Sequence, residues 1–104
     1  MEFIHPRKGT ISLHEVIRDT EAYIAADPSS NYKIVIGTDS QTSQEQTLFI
    51  TAIIIHRVGK GARFFFRKVK NKPLLDLRYR IYRETELSLE LTELLKKQGI
   101  ADLL

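Results

Sequence analysis

At 104 residues the chain has room for one domain with one core, and not for two. Its 42% hydrophobic and 28% charged composition is that of a globular protein and excludes disordered and collagen-like classes. The absence of cysteine excludes disulfides, thiolate metal sites and a cysteine nucleophile, and a net charge of +3 permits nucleic acid as a partner without demanding it.

The N-terminus, Met1-Glu2-Phe3-Ile4-His5-Pro6-Arg7-Lys8, has no apolar stretch behind a basic start, so no secretory signal is read there and a cytoplasmic location is expected. The first clear element begins at Ser12. Ser12 and Glu15 form an S-x-x-E capping box, with Ile11 and Val16 spaced as a hydrophobic staple. Leu13, Val16, Ile17, Thr20 and Ile24 then share one helical stripe, and Asp27-Pro28 stops it; the spacing predicts a helix over 13–26.

Tyr32 to Thr38 is rich in β-branched and aromatic residues and predicts a strand ending near Thr38, with polar Ser40–Gln46 as a loop. Thr47 to His56 predicts a second strand. It is apolar on both faces, as in a sheet covered on both sides. Its apolar run, Leu48 to Ile55, falls far short of the ~20 residues of a membrane helix, so no membrane partner is expected. Arg57–Gly61 reads as a hairpin loop and Ala62–Val69 as the returning strand. Phe64-Phe65-Phe66 must put at least one ring on each side of that strand. Core packing is the expectation for them and base stacking the alternative.

After Asn71-Lys72-Pro73 a long helix is predicted. Leu77, Ile81, Glu84, Ser88, Leu91 and Leu95 lie on its inner stripe, Arg83, Glu86, Glu90, Glu93 and Lys97 mostly on the wet side, and Gly99 at its C-terminal stop. The order is helix, strand, strand, strand, helix, with hairpins short enough for an antiparallel meander. Both outer strands of that meander would be sheet edges. An open first strand invites pairing with a second copy, so a homodimer through it is one expectation.

Two carboxylates stand out. Asp39 follows the first buried strand in Ile36-Gly37-Thr38-Asp39-Ser40-Gln41, where it can hold Mg²⁺ or Mn²⁺ or simply cap a turn. Glu84 sits on the apolar stripe of the last helix, where a buried carboxylate needs a cation or a donor. The alternatives there are a salt bridge to Arg78 or Arg80, or a side chain reaching out to water. Over one end of the sheet the pair can share divalent ions, the arrangement of metal-assisted phosphodiester hydrolysis. Lys68, Lys70, Arg78 and Arg80 are candidate phosphate contacts, within a basic run that can equally balance the helix's glutamates. His5, His14 and His56 show no ligand spacing, so no metal role is expected of them.

A three-stranded meander followed by a helix, with Asp39 on the first strand and Glu84 on the helix, resembles the opening of a ribonuclease H-like fold. Ile36-Gly37-Thr38-Asp39-Ser40-Gln41, Leu48-Phe49-Ile50-Thr51-Ala52-Ile53, Gly59-Lys60-Gly61-Ala62 and Arg80-Ile81-Tyr82-Arg83-Glu84-Thr85 with Ser88-Leu89 resemble the bacterial YkuK family (the former domain of unknown function 458). The resemblance runs from about Ser12 to Leu95 and implies an α/β fold in one domain over 1–104, lacking the later strands. It implies Asp39 and Glu84 as catalytic and metal-binding residues, Mg²⁺ or Mn²⁺ as cofactor, and RNA, DNA or their hybrid as partner. The superfamily's third carboxylate lies on a fourth strand, expected past the end of this sequence; Asp102 follows the helix too closely to replace it. A metal-dependent nuclease, a non-catalytic nucleic-acid-binding module and a protein-interaction module all remain open.

Overall fold

The capping box forms as its spacing requires. In the computed structural model, which describes residues 1–100, Ser12 Oγ accepts the Glu15 N–H at 3.2 Å and Glu15 reaches back to the Ser12 N–H at 3.3 Å. These bonds start helix α1 (Leu13–Ala25), which buries Val16, Ile17 and Thr20, with Ile11 of the staple buried beside them. Asp102 and the rest of the tail lie outside the described residues.

Ahead of α1 lies a hairpin that the sequence reading missed: β1 (Glu2–His5) and β2 (Gly9–Ser12) pair antiparallel around a turn closed by Gly9 at φ 78. His5 holds that turn together. Its Nδ1 accepts the N–H groups of Arg7 and Lys8 at 3.0 and 3.1 Å, so Nε2 carries the proton and faces Asp19 Oδ2 at 3.2 Å.

The remaining elements are β3 (Tyr32–Thr42), β4 (Thr47–Arg57), β5 (Gly61–Asn71) and α2 (Leu77–Lys97). They complete a five-stranded sheet in the order β2-β1-β5-β4-β3, antiparallel throughout. The returning strand β5 is therefore not an edge, because β1 pairs with it through Ile4 and Phe66. Among the described residues the first meander strand, β3, is the open edge expected of it.

The meander differs from expectation in one respect that bears on function. β3 does not stop at Thr38; Asp39, Ser40, Gln41 and Thr42 stay paired with Ile50, Phe49, Leu48 and Thr47. The polar run is a strand because its hydroxyls bond across the ladder, Thr42 to Thr47 at 2.7 Å and Thr38 to Thr51 at 2.9 Å. The turn shrinks to Ser43–Gln46, where Ser43 Oγ accepts the N–H groups of Glu45 and Gln46.

Phe3, Ile17, Ile34, Ile53, Ile55, Phe65, Leu91 and Leu95 form one core, so α1 and α2 cover the same face of the sheet. Among the described residues the other face is uncovered, against the expectation that β4 is sheltered on both sides. The sheet also ends before α2 does. Leu87, Leu91 and Leu95 are buried, whereas Leu77 and Ile81, on the same predicted stripe, stand 58% and 52% exposed. Gly99 ends the helix at φ 89 as expected, with its own N–H on Lys96 O and the Ile100 N–H on Leu95 O. Among the described residues no helix is long and apolar enough to cross a membrane.

At the far end of the sheet, Asp27 ties the α1–β3 connection to the β4–β5 hairpin. The Ser30 hydroxyl at 2.6 Å and the Lys60 ammonium at 3.1 Å hold its carboxyl down at about 2 from an ordinary 3.8. A carboxylate depressed in the folded state contributes stability above its unfolded pKa, and loses it as pH falls toward the folded value. In urea denaturation between about pH 4 and pH 2, Asp27→Asn is expected to lose stability less steeply than the parent, because it lacks this contribution.

Candidate functional site

Successive strand residues point to opposite faces, and this sorts the end of β3. Thr38, Ser40 and Thr42 lie on the helix face, while Gly37, Asp39 and Gln41 are exposed on the open face. Beneath the N-terminal half of α2 the even positions make a hydroxyl-lined floor. Thr38 shares hydrogen bonds with Thr51 and with Ser88 of α2 at 2.8 Å, and Thr47 Oγ1 accepts the Leu74 N–H at 2.8 Å.

Glu84 descends onto this floor and accepts the Ser40 hydroxyl. It pairs with neither Arg78 nor Arg80. A half-buried carboxylate on an otherwise apolar stripe has thus found a neutral donor and keeps its remaining lone pairs. Asp39 reaches the same residue from the other side: its Oδ1 accepts the Ser40 N–H at 2.9 Å. The two carboxylates are not in contact and project from opposite faces. They converge on Ser40, the one by its hydroxyl and the other by its amide, at the open edge of the sheet. Asp39 is not in a turn, since it sits inside a paired strand, but its bond to the Ser40 N–H is the nearby-amide contact that the alternative to a metal role expects of it.

The donor set suits a hard cation. Carboxylate and hydroxyl oxygens are the ligands Mg²⁺ and Mn²⁺ take, and Mg²⁺ commonly keeps several waters beside one or two carboxylates. Asp39 and Glu84 carry such oxygens, but on opposite faces of β3, so the shared site over one face expected from the sequence is not formed: one ion reaches both only around the open edge of the strand. Among the described residues no three His, Cys, Asp or Glu side chains gather as a metal cluster. The histidines stay apart: His5 is committed to its turn, and His14 and His56 are exposed on α1 and β4.

The basic candidates divide between the two faces. Lys68 and Lys70 are exposed on the open face of β5, opposite Ile50 and Leu48. Arg78 is exposed at the start of α2. Arg80 lies one turn before Glu84, and its Nε is buried with no hydrogen-bond partner among the described residues. None of these four makes an ion pair among the described residues. Arg83 does, holding Glu86 at 3.1 Å and Glu90 at 3.5 Å, so the charge-balancing alternative applies to Arg83.

A family model described as Ribonuclease H-like matches residues 15–103. This chain belongs to the ribonuclease H-like family. It is 36% identical over 89 residues to the "Uncharacterized protein YkuK" of Bacillus subtilis (strain 168), an alignment covering 85% of this chain and 52% of that protein. The chain therefore spans about half the length of that relative. No solved structure matches it. The ribonuclease H-like assignment agrees with the observed meander, its following helix and the α/β class.

Sequence reasoning missed the hydroxyl floor of this ribonuclease H-like domain. Its signal was present as the period-two run Thr38, Ser40, Thr42, with Ser88 on the inner helical stripe. The His5–Asp19 pair had no such signal, because it joins a turn to a helix through contacts that no spacing announces.

Proposed function

We propose that the chain is the metal-binding part of a divalent-metal-dependent nuclease acting on RNA, DNA or their hybrid. The convergence of Asp39 and Glu84 on Ser40 at the sheet's open edge carries this reading. In it Asp39 and Glu84, brought together around the sheet edge, would hold Mg²⁺ or Mn²⁺, which would supply an activated water and steady developing charge on the phosphate. Exchanging the Ser40 hydroxyl for the ion would free Glu84. In the same reading Arg80, one turn before Glu84, would turn its guanidinium outward to meet a phosphate oxygen.

The test is cleavage of labelled single-stranded, duplex and hybrid oligonucleotides with Mn²⁺ present. The reading expects turnover that chelation stops and that both Asp39→Ala and Glu84→Ala reduce by at least ~100-fold, the scale on which lost metal-centred stabilisation acts. Activity that survives both substitutions would sink it.

One observation favours a second reading. With no third ligand-type side chain gathered at the site among the described residues, a non-catalytic nucleic-acid-binding or protein-interaction module is the alternative. The open β3 edge, eleven residues long, suits a homodimer formed by strand pairing. Light scattering of the purified chain tests the dimer: a monomer at high micromolar concentration removes it.

A further inference from the structure

The face of the sheet left uncovered among the described residues carries an ordered pattern. Along β5, the central strand, the side chains on that face are Phe64, Phe66, Lys68 and Lys70 in succession. Their neighbour Phe65 is fully buried in the core, whereas Phe64 stands 44% exposed. Cross-strand from Phe64 lie Ile54 and then Val35, the latter 52% exposed. Cross-strand from Phe66 lie Ala52 and Gly37, which leave a shallow trough beside the ring. A Cβ built on Gly37 would meet nothing within 4 Å.

Phe64 and Val35 leave apolar surface exposed on this face, with Phe66, Ile54 and Ala52 half-buried beside them, and the two lysines say what such a surface suits. A protein segment packed over the face would have to desolvate Lys68 and Lys70, which have no carboxylate partner among the described residues, at considerable cost. A polyanion with flat apolar rings needs both halves of the pattern. Rings two residues apart on one strand can each receive a base, and the ammonium groups that follow can meet the phosphates. Stacking on side-chain rings requires bases whose faces are free, which a duplex does not offer.

We propose that this open face binds single-stranded nucleic acid, with bases stacked on Phe64 and Phe66 and the backbone held by Lys68 and Lys70. The site is separate from the Ser40 carboxylates and does not rest on their holding a metal. It lies on the same face as Asp39, which is in register with Ile50 and Lys68, so a strand following the lysines passes toward the sheet edge.

The experiment is fluorescence anisotropy of a labelled oligo-dT or oligo-U at low salt, with EDTA present so that the ion site plays no part. Phe64→Ala and Phe66→Ala should each weaken binding by roughly 5- to 150-fold, the range of one lost base stack. Lys68→Ala and Lys70→Ala should each lower the slope of log K against log salt by about 0.7. Gly37→Leu is the variant that guards against simple misfolding. Gly37 has no left-handed φ and open space at its Cβ, so leucine should keep or raise the melting temperature while filling the trough and abolishing binding. No binding by the parent, parent-like binding by the phenylalanine variants, or equal competition by duplex would each overturn the proposal. Self-association of the parent that Phe64→Ala abolishes, without oligonucleotide binding, would overturn it in favour of a protein interface.

Discussion

Phe65→Ala is expected to cost about 3–5 kcal/mol of folding stability, while Phe64→Ala next to it costs about 1 kcal/mol. The two residues share a side chain, a strand and a sequence neighbourhood; they differ only in the face of the sheet they take. Phe65 is fully buried on β5 between the two helices, with the His5 ring edge-on at 5.7 Å. Removing it leaves a cavity that the surrounding strands cannot close, because β5 is bonded on both sides, to β1 and to β4. A domain of this size has only about 5–15 kcal/mol in total. The melting temperature of Phe65→Ala should therefore fall by at least ~12 °C, or the variant should fail to accumulate folded. Phe64→Ala should shift it by a few degrees. Thermal melts of the pair decide the matter. Similar losses in both would mean that the open face is packed, and would remove the basis of the single-strand site.

The sequence read most clearly where a physical device is local. The Ser12–Glu15 capping box and the Leu13, Val16, Ile17, Thr20, Ile24 stripe placed α1 to within a residue of its observed end. The β-branched run from Phe49 to Ile55 placed β4, and Gly99 placed the end of α2. What stayed hidden depends on distant partners. β1 and β2 have four residues each, too short for a periodic signal, and they are held by β5, α1 and a histidine serving as a turn cap. Ser40 to Thr42 looks like a loop in the sequence because composition reports polarity and not pairing; Ser40 bonds Glu84 of a helix that arrives more than forty residues later. Leu77 and Ile81 were read as core because periodicity finds the inner side of a helix without showing where the sheet beneath it stops.

The candidate site follows the same division. That Glu84 needs a partner was legible from its place on an apolar stripe. That the partner is Ser40, and not an arginine, was not. The pairing of Asp39 with Glu84 depends on which strand face meets which helix turn, and the outcome differs from the expectation, because the two carboxylates take opposite faces of β3. The carboxylates meet neither face to face nor across a turn, but through one serine that donates its hydroxyl to one and its amide to the other.

The proposed shared ion predicts the second large effect. An ion held by two protein carboxylates with water completing its shell has little to spare, so losing either ligand should reduce affinity beyond detection. Neither substitution should unfold the chain. Asp39 is exposed on an edge strand, and removing Glu84 frees a serine hydroxyl at a half-buried position near the helix end, a cost of about 1–2 kcal/mol. Loss of metal with retention of fold is therefore the expected signature, and a circular dichroism melt beside the binding measurement separates the two.

The most direct measurement is a calorimetric titration of Mn²⁺ into the parent, Asp39→Ala and Glu84→Ala at moderate salt. A shared site predicts saturable binding to the parent and none to either variant, with all three folded. No binding to the parent, or binding that survives either substitution, would contradict a metal held jointly by Asp39 and Glu84.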